Sequence, residues 1–280
     1  MRGALTIASY TLRESTRRRV FVVVVVLTVG FLALYALGAE TAFDAVDDVG
    51  IGDDKVLTGS TLLGLAMFTT LFLGCVLAVF LTLGAVRGDA ERGLLQPLVV
   101  RPVGRTELLA GRFAAAAGVC AGYVATVYAA AVLITGAAGG WWPAQPLGAG
   151  LGLVVGVVLI AGLALLGSVF LSATANGIAV FMIFGAGLTA GLLGQIGEAL
   201  AVQTLEDVAT VASWLLPFEA LYEAGLNALT DDAAGASAVI VELGPFGGAQ
   251  EGGPLLWLWS LAYLTLVGAA ARVAFARRDL

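Results

Sequence analysis

The sequence predicts an all-α integral membrane protein. It reads as six transmembrane helices, an N-terminal interfacial helix, a short helix in a cytoplasmic linker, and amphipathic helices on the outer face. Three observations carry this. Hydrophobic residues make up 60% of the 280 and charged residues 12%, about half the roughly 25% of a soluble domain; mean hydropathy is +0.98. Apolar runs of about 18 residues or more, long enough to cross a bilayer, recur along the chain. The arginines collect in alternate connecting segments and leave the others almost free of basic residues.

Residues 1–19 come first. Ala4, Leu5, Ala8 and Leu12 recur at helical spacing, with Arg13, Arg17, Arg18 and Arg19 toward the end. The pattern suits a helix lying in the headgroup region, apolar side to the acyl chains and arginines to anionic lipid. The plainer alternative is a basic tail that only sets orientation. The first span, 20–38, is dense in valine and as long as a full crossing, so a removable signal peptide is not expected. Glu40–Lys55 is acidic, with five aspartates and a glutamate.

The second span covers 61–86 and the third 113–136, separated by a charged linker over 87–112. That linker holds five arginines and three carboxylates, yet Leu94, Leu95, Leu98, Val99 and Val100 form an apolar patch within it. Two membrane helices need only a short polar turn to join them. A linker that keeps a small amphipathic helix offers a surface to something outside the membrane. The bland alternative is a solvated loop whose charges only fix topology.

A Gly-Gly-Trp-Trp-Pro turn (139–143) leads to the fourth span, 147–170, and a short turn to the fifth, 177–193. The segment 194–253 follows, and the sixth span is 254–275. Within 194–253, Leu205, Val208, Ala209, Ala212 and Leu216 share one helical face, and Ser213–Tyr222 forms a second amphipathic piece. Gly148, Gly152 and Gly156 in span four, and Gly187 and Gly191 in span five, repeat every fourth residue. Such spacing lets helix backbones approach closely in lipid; the functional alternative is a passage lined by backbone.

With both termini in the cytoplasm, the inside segments and their immediate helix ends hold every arginine, and Lys55 is the single basic residue outside. Trp141, Trp142, Trp214, Trp257 and Trp259 fall near the outer boundary, as an aromatic belt requires. The expected location is the cell membrane.

The spans exclude several chemistries. Gradient-driven transport normally needs an ionisable residue at depth, and spans one to five have no Asp, Glu, Lys or Arg in their central portions; the sixth has only Arg272, near its cytoplasmic end. Intramembrane hydrolysis needs His or paired carboxylates at depth. Histidine is absent, and Cys75 and Cys120 sit in different apolar runs as small packing residues. No catalytic or metal-ligating residue is expected. The pattern G-x-x-x-x-G-K-[ST] is absent, so a nucleotide site must belong to another subunit.

These pieces, in this order, resemble the permease subunit of a type-2 ABC transporter (the ABC-2 membrane domain) over nearly the whole chain. Leu12-Arg-Glu-Ser-Thr-Arg-Arg-Arg19 is similar to the family's interfacial elbow helix. The linker resembles its coupling segment at Asp89, Glu91, Gly93, Leu94 and Leu95, then at Pro102-Val-Gly-Arg105, Glu107-Leu-Leu109 and Gly111-Arg112. Leu216-Pro-Phe-Glu-Ala-Leu-Tyr222, with Pro217, Phe218 and Glu219, resembles the family's outer-face segment. Two features depart from the pattern. Gly104 stands where Ser often caps the third span, and Pro97 allows only a short coupling helix starting near it.

The resemblance implies two permeases, as copies or homologues, in the lipid bilayer with two cytoplasmic ATPases. ATP and magnesium ion would be bound by those ATPases and no cofactor by this chain; no nucleic acid is expected as a partner. Leu94, Leu95, Leu98 and Val99 would fill a groove on the ATPase, with Glu91, Arg92 and Arg101 setting charge register at the rim. The layout is similar to permeases that accompany maturation of copper-containing nitrous oxide reductase, although drug, lipid and polysaccharide exporters share the fold. Two rivals remain: a non-transporting anchor or sensor that recruits an ATPase, and a gradient-driven carrier.

Overall fold

The computed structural model describes residues 19–49, 53–82, 105–230 and 252–277. Those residues form eight helices and no strand: α1 (Arg19–Val49), α2 (Asp53–Thr82), α3 (Arg105–Gly139), α4 (Pro146–Phe170), α5 (Ala173–Leu200), α6 (Gln203–Leu215), α7 (Pro217–Thr230) and α8 (Pro254–Ala276). Six of them, all but α6 and α7, are long and apolar enough to cross a membrane. The chain is therefore a multi-pass membrane protein.

The helices outrun the apolar runs that specify them. Helix α1 continues past Glu40 to Val49, because Phe43 is buried against Gly139 of α3 while Asp44 stays exposed. Helix α2 begins at Asp53, well before the apolar run at 61. A polar turn of helix is cheap once the adjoining span is helical, since propagation adds a hydrogen bond per residue fixed.

Consecutive spans alternate in direction, which gives the bundle two distinct ends. The N-terminal ends of α1, α3 and α5 share one end with the C-terminal ends of α2, α4 and α8. Leu108 and Leu109 of α3, Leu165 and Val169 of α4, and Ala271 and Phe275 of α8 pack together there. Arg19, Arg105, Arg112, Arg272 and Arg277 all lie toward that end, and Lys55 lies toward the other. At the opposite end Trp141 covers Gly59 of α2 and Trp142 covers Gly136 of α3. Trp259 of α8 donates its indole N–H to the Trp214 carbonyl at 2.9 Å, with ring centroids 5.4 Å apart.

The main core lies among α2, α3, α4 and α7, around Leu63, Met67, Leu71, Val124, Leu153 and Tyr222. Helix α1 is attached more lightly. Its Thr28 shares a 2.6 Å hydrogen bond with Tyr123 of α3, and Tyr35 one of 2.5 Å with Thr135. Such inter-helix bonds matter in lipid because apolar burial alone gives no preference for protein over acyl chain. Cys75 and Cys120 are free thiols buried in this core.

Candidate functional site

The residues singled out by sequence separate into three groups. Glu91, Arg92, Gly93, Leu94, Leu95, Leu98, Val99, Arg101 and Pro102, and Arg13, Arg17 and Arg18, lie outside the described residues. Arg19 and Arg105 are the first residues of α1 and α3, at the same end of the bundle. Pro217, Phe218 and Glu219 open α7, and here the geometry is informative.

Helix α6 runs back along α5. A Cβ at Gly194 would lie 2.9 Å from the Ala209 Cβ, and one at Gly197 2.9 Å from the Leu205 Cβ. Val208, read by period onto the apolar face, is instead 48% exposed, and no residue of α6 is fully buried. After Leu216 the chain reverses into α7, which climbs along α4. Phe218 faces Gly156, ten residues into α4 and about 15 Å along its axis; Leu221 faces Gly152, and Gly225 faces Ala149. The segment predicted as amphipathic helices at one face is thus a hairpin dipping between spans.

The glycines of spans four and five explain how α7 fits. A Cβ at Gly152 would lie 2.8 Å from the Leu221 carbonyl oxygen, and one at Gly156 3.4 Å from the Phe218 carbonyl oxygen. On α5, a Cβ at Gly187 would lie 2.7 Å from the Phe218 Cζ, and one at Gly191 would strike the Glu219 carboxylate. Four of the five stripe glycines, Gly152, Gly156, Gly187 and Gly191, admit a close neighbour, and it is α7; Gly148 meets nothing within 4 Å. Phe218 also stacks on Phe184 of α5, centroids 5.9 Å apart.

Glu219 and Glu223, one helical turn apart, are each 4% exposed. Their carboxyls hydrogen-bond each other, which requires a proton: Glu219 donates and Glu223 accepts. Burial holds Glu219 protonated well above the usual carboxylate range, and the negative charge of Glu223 adds to it. Burial raises Glu223 as well, partly offset by the hydrogen bond it accepts. Beside Glu223, the Tyr222 hydroxyl is buried with no hydrogen-bond partner among the described residues.

The pair lines a cavity of about 410 Å³ between α5, α6 and α7, whose walls also include Glu198, Glu206, Thr210 and Ser213. Glu219 entered the sequence prediction only as part of a motif, and Glu223 did not enter it. The available signal was the i, i+4 spacing of two acids on a helix that α4 and α5 bury. Among the described residues no group of three His, Cys, Asp or Glu is arranged to hold a metal ion.

At the other end, the packed Leu108, Leu109, Leu165, Val169, Ala271 and Phe275 brace the start of α3 against α4 and α8. Anything that pushed on the chain entering α3 would meet three spans at once rather than one loose helix. No curated protein matches the chain. The model of the ABC-2 family transporter proteins matches residues 5–280, which with six membrane helices and no nucleotide-binding motif places the chain in the ABC-2 transporter family as a membrane permease subunit.

Proposed function

We propose that this permease is the passive membrane half of an ATP-driven exporter, worked from the cytoplasm by a separate ATPase that docks on residues 87–112. The observation that carries the reading is the family match over residues 5–280 in a chain with one lysine and no P-loop. Two permeases, identical or homologous, would assemble with two ATPases, which bind ATP and magnesium ion. Leu94, Leu95, Leu98 and Val99 supply the apolar contact, and Glu91, Arg92, Arg101 and Arg105 set its charge register. Both termini then face the cytoplasm, with Arg13, Arg17, Arg18 and Arg19 at anionic headgroups.

The test is association. Leu95→Asp, or Leu94→Asp with Leu98→Asp, places charge in the apolar patch, and recovery of the ATPase with a tagged permease should fall to about a tenth or less. Membrane insertion should be unchanged. Full ATPase recovery with these variants removes the docking assignment.

Glu219 and Glu223 favour a second reading, a proton-coupled carrier, because they bring ionisable groups beside the spans. Solute movement in permease-only vesicles under an imposed pH gradient would support that reading. Dependence on the ATPase and ATP supports the first.

A further inference from the structure

A second cavity lies at the arginine-bearing end, on the bundle's outer wall between α3, α4 and α8. Its volume is about 190 Å³, and its walls are apolar almost throughout. Leu109 and Phe113 of α3, Gly162 and Leu165 of α4, and Leu264 and Val267 of α8 form the sides. Gly268 opens it: a Cβ there would meet nothing within 4 Å, and the residue is exposed. At Gly162 a Cβ would press on Leu264 Cδ1 at 3.2 Å, so the missing side chain deepens the floor. The groove is therefore a notch cut by two glycines into a wall of spans.

One charged residue lines it. Arg272 sits at the end of the notch nearest the close of α8, exposed, with no hydrogen-bond or ion-pair partner among the described residues. From Leu264 to Arg272 is eight residues of helix, about 12 Å along the axis. Gly268 and Arg272 are both exposed, so the notch opens on the outside of the described bundle.

We propose that this notch is a binding site for one anionic glycerophospholipid. An acyl chain lies along Leu264, Val267 and Gly268, and the phosphate is held by the Arg272 guanidinium. The observation behind it is the joining of an apolar notch to an exposed cation at its end, one with no partner among the described residues. Guanidinium matches phosphate through paired N–H donors, and a neutral or cationic occupant would leave that charge unanswered. An ordinary annular lipid drawn by surface arginines needs no slot, so filling the notch would leave it in place.

The experiment places the full-length permease in vesicles of equal phosphatidylglycerol and phosphatidylcholine, extracts it gently, and counts retained lipids by native mass spectrometry. Wild type should retain one phosphatidylglycerol per chain. Gly268→Leu fills the slot and should lose that lipid while staying monodisperse, because the new side chain enters open space. Arg272→Gln should keep a lipid but lose preference for the anionic headgroup about tenfold. Retention by Gly268→Leu at the wild-type level, or unchanged selectivity in Arg272→Gln, overturns the proposal. So does a Gly268→Leu variant that changes oligomeric state instead of lipid content, which would make a second copy of the chain the occupant.

Discussion

Glu219 and Glu223 are where burial and charge oppose each other most directly. A carboxylate pair 4% exposed persists because one proton is held between the two groups, so its contribution to stability depends on pH. A carboxyl raised above its unfolded value binds its proton more tightly in the folded chain. Its stabilisation is complete below the ordinary carboxylate value of 4.5 and is lost as pH climbs through the raised folded value. Of the acids around it, Glu223 on its own helix reinforces that direction, while Glu198 from α5 and Glu206 from α6 line the same cavity. The melting temperature of the purified permease should fall between about pH 5 and pH 9, and Glu219→Gln should flatten the curve. At alkaline pH the variant should melt higher by about 2–4 °C for each kcal/mol recovered. Parallel profiles for the two proteins would show that the pair is ionised in the fold.

At the scale of elements, α7 is held by what its neighbours lack. Small residues on α4 and α5 allow its backbone to come close enough for dispersion contacts that larger side chains would prevent. Gly152 and Gly148 belong to one stripe but meet different surroundings: a Cβ at Gly152 would strike a backbone carbonyl at 2.8 Å, and one at Gly148 meets nothing within 4 Å. Backbone cannot rotate away as a side chain can. Gly152→Leu should therefore cost about 1–3 kcal/mol through overpacking, read as a lower melting temperature, while Gly148→Leu should change it little. Equal effects at both positions would refute the seating of α7.

Across the whole molecule, topology is the feature the sequence states most openly. Six apolar runs of span length were legible because bilayer thickness fixes a minimum length that few other structures need. The glycine stripes could be read as packing surfaces, but a spacing of four names no partner, and α7 emerged only from the three-dimensional contacts. Glu223 was illegible for a related reason. An amphipathic helix shows which residues share a face, not whether water or another helix meets the polar one. The shared face of α6 likewise named no partner: α6 rests on α5 through Leu205 and Ala209 and leaves Val208 exposed. Orientation remains a prediction at this scale. Cysteine in place of Asp232 should react with an impermeant thiol reagent added outside intact cells, and cysteine in place of Thr106 should not. The reverse pattern would put the 87–112 linker out of an ATPase's reach.

The indole bond from Trp259 to the Trp214 carbonyl ties the last crossing to the turn of the dipping hairpin. Trp214 forms part of the wall of the acidic chamber. A tilt of α8 would tug that turn and shift one side of the chamber, while α5, gripped by α6 through Gly194 and Gly197, holds the other side still. The fold thus joins its final strut to the place where its shared proton is kept, and a force applied at one edge of the bilayer would be felt as a change of shape near the other.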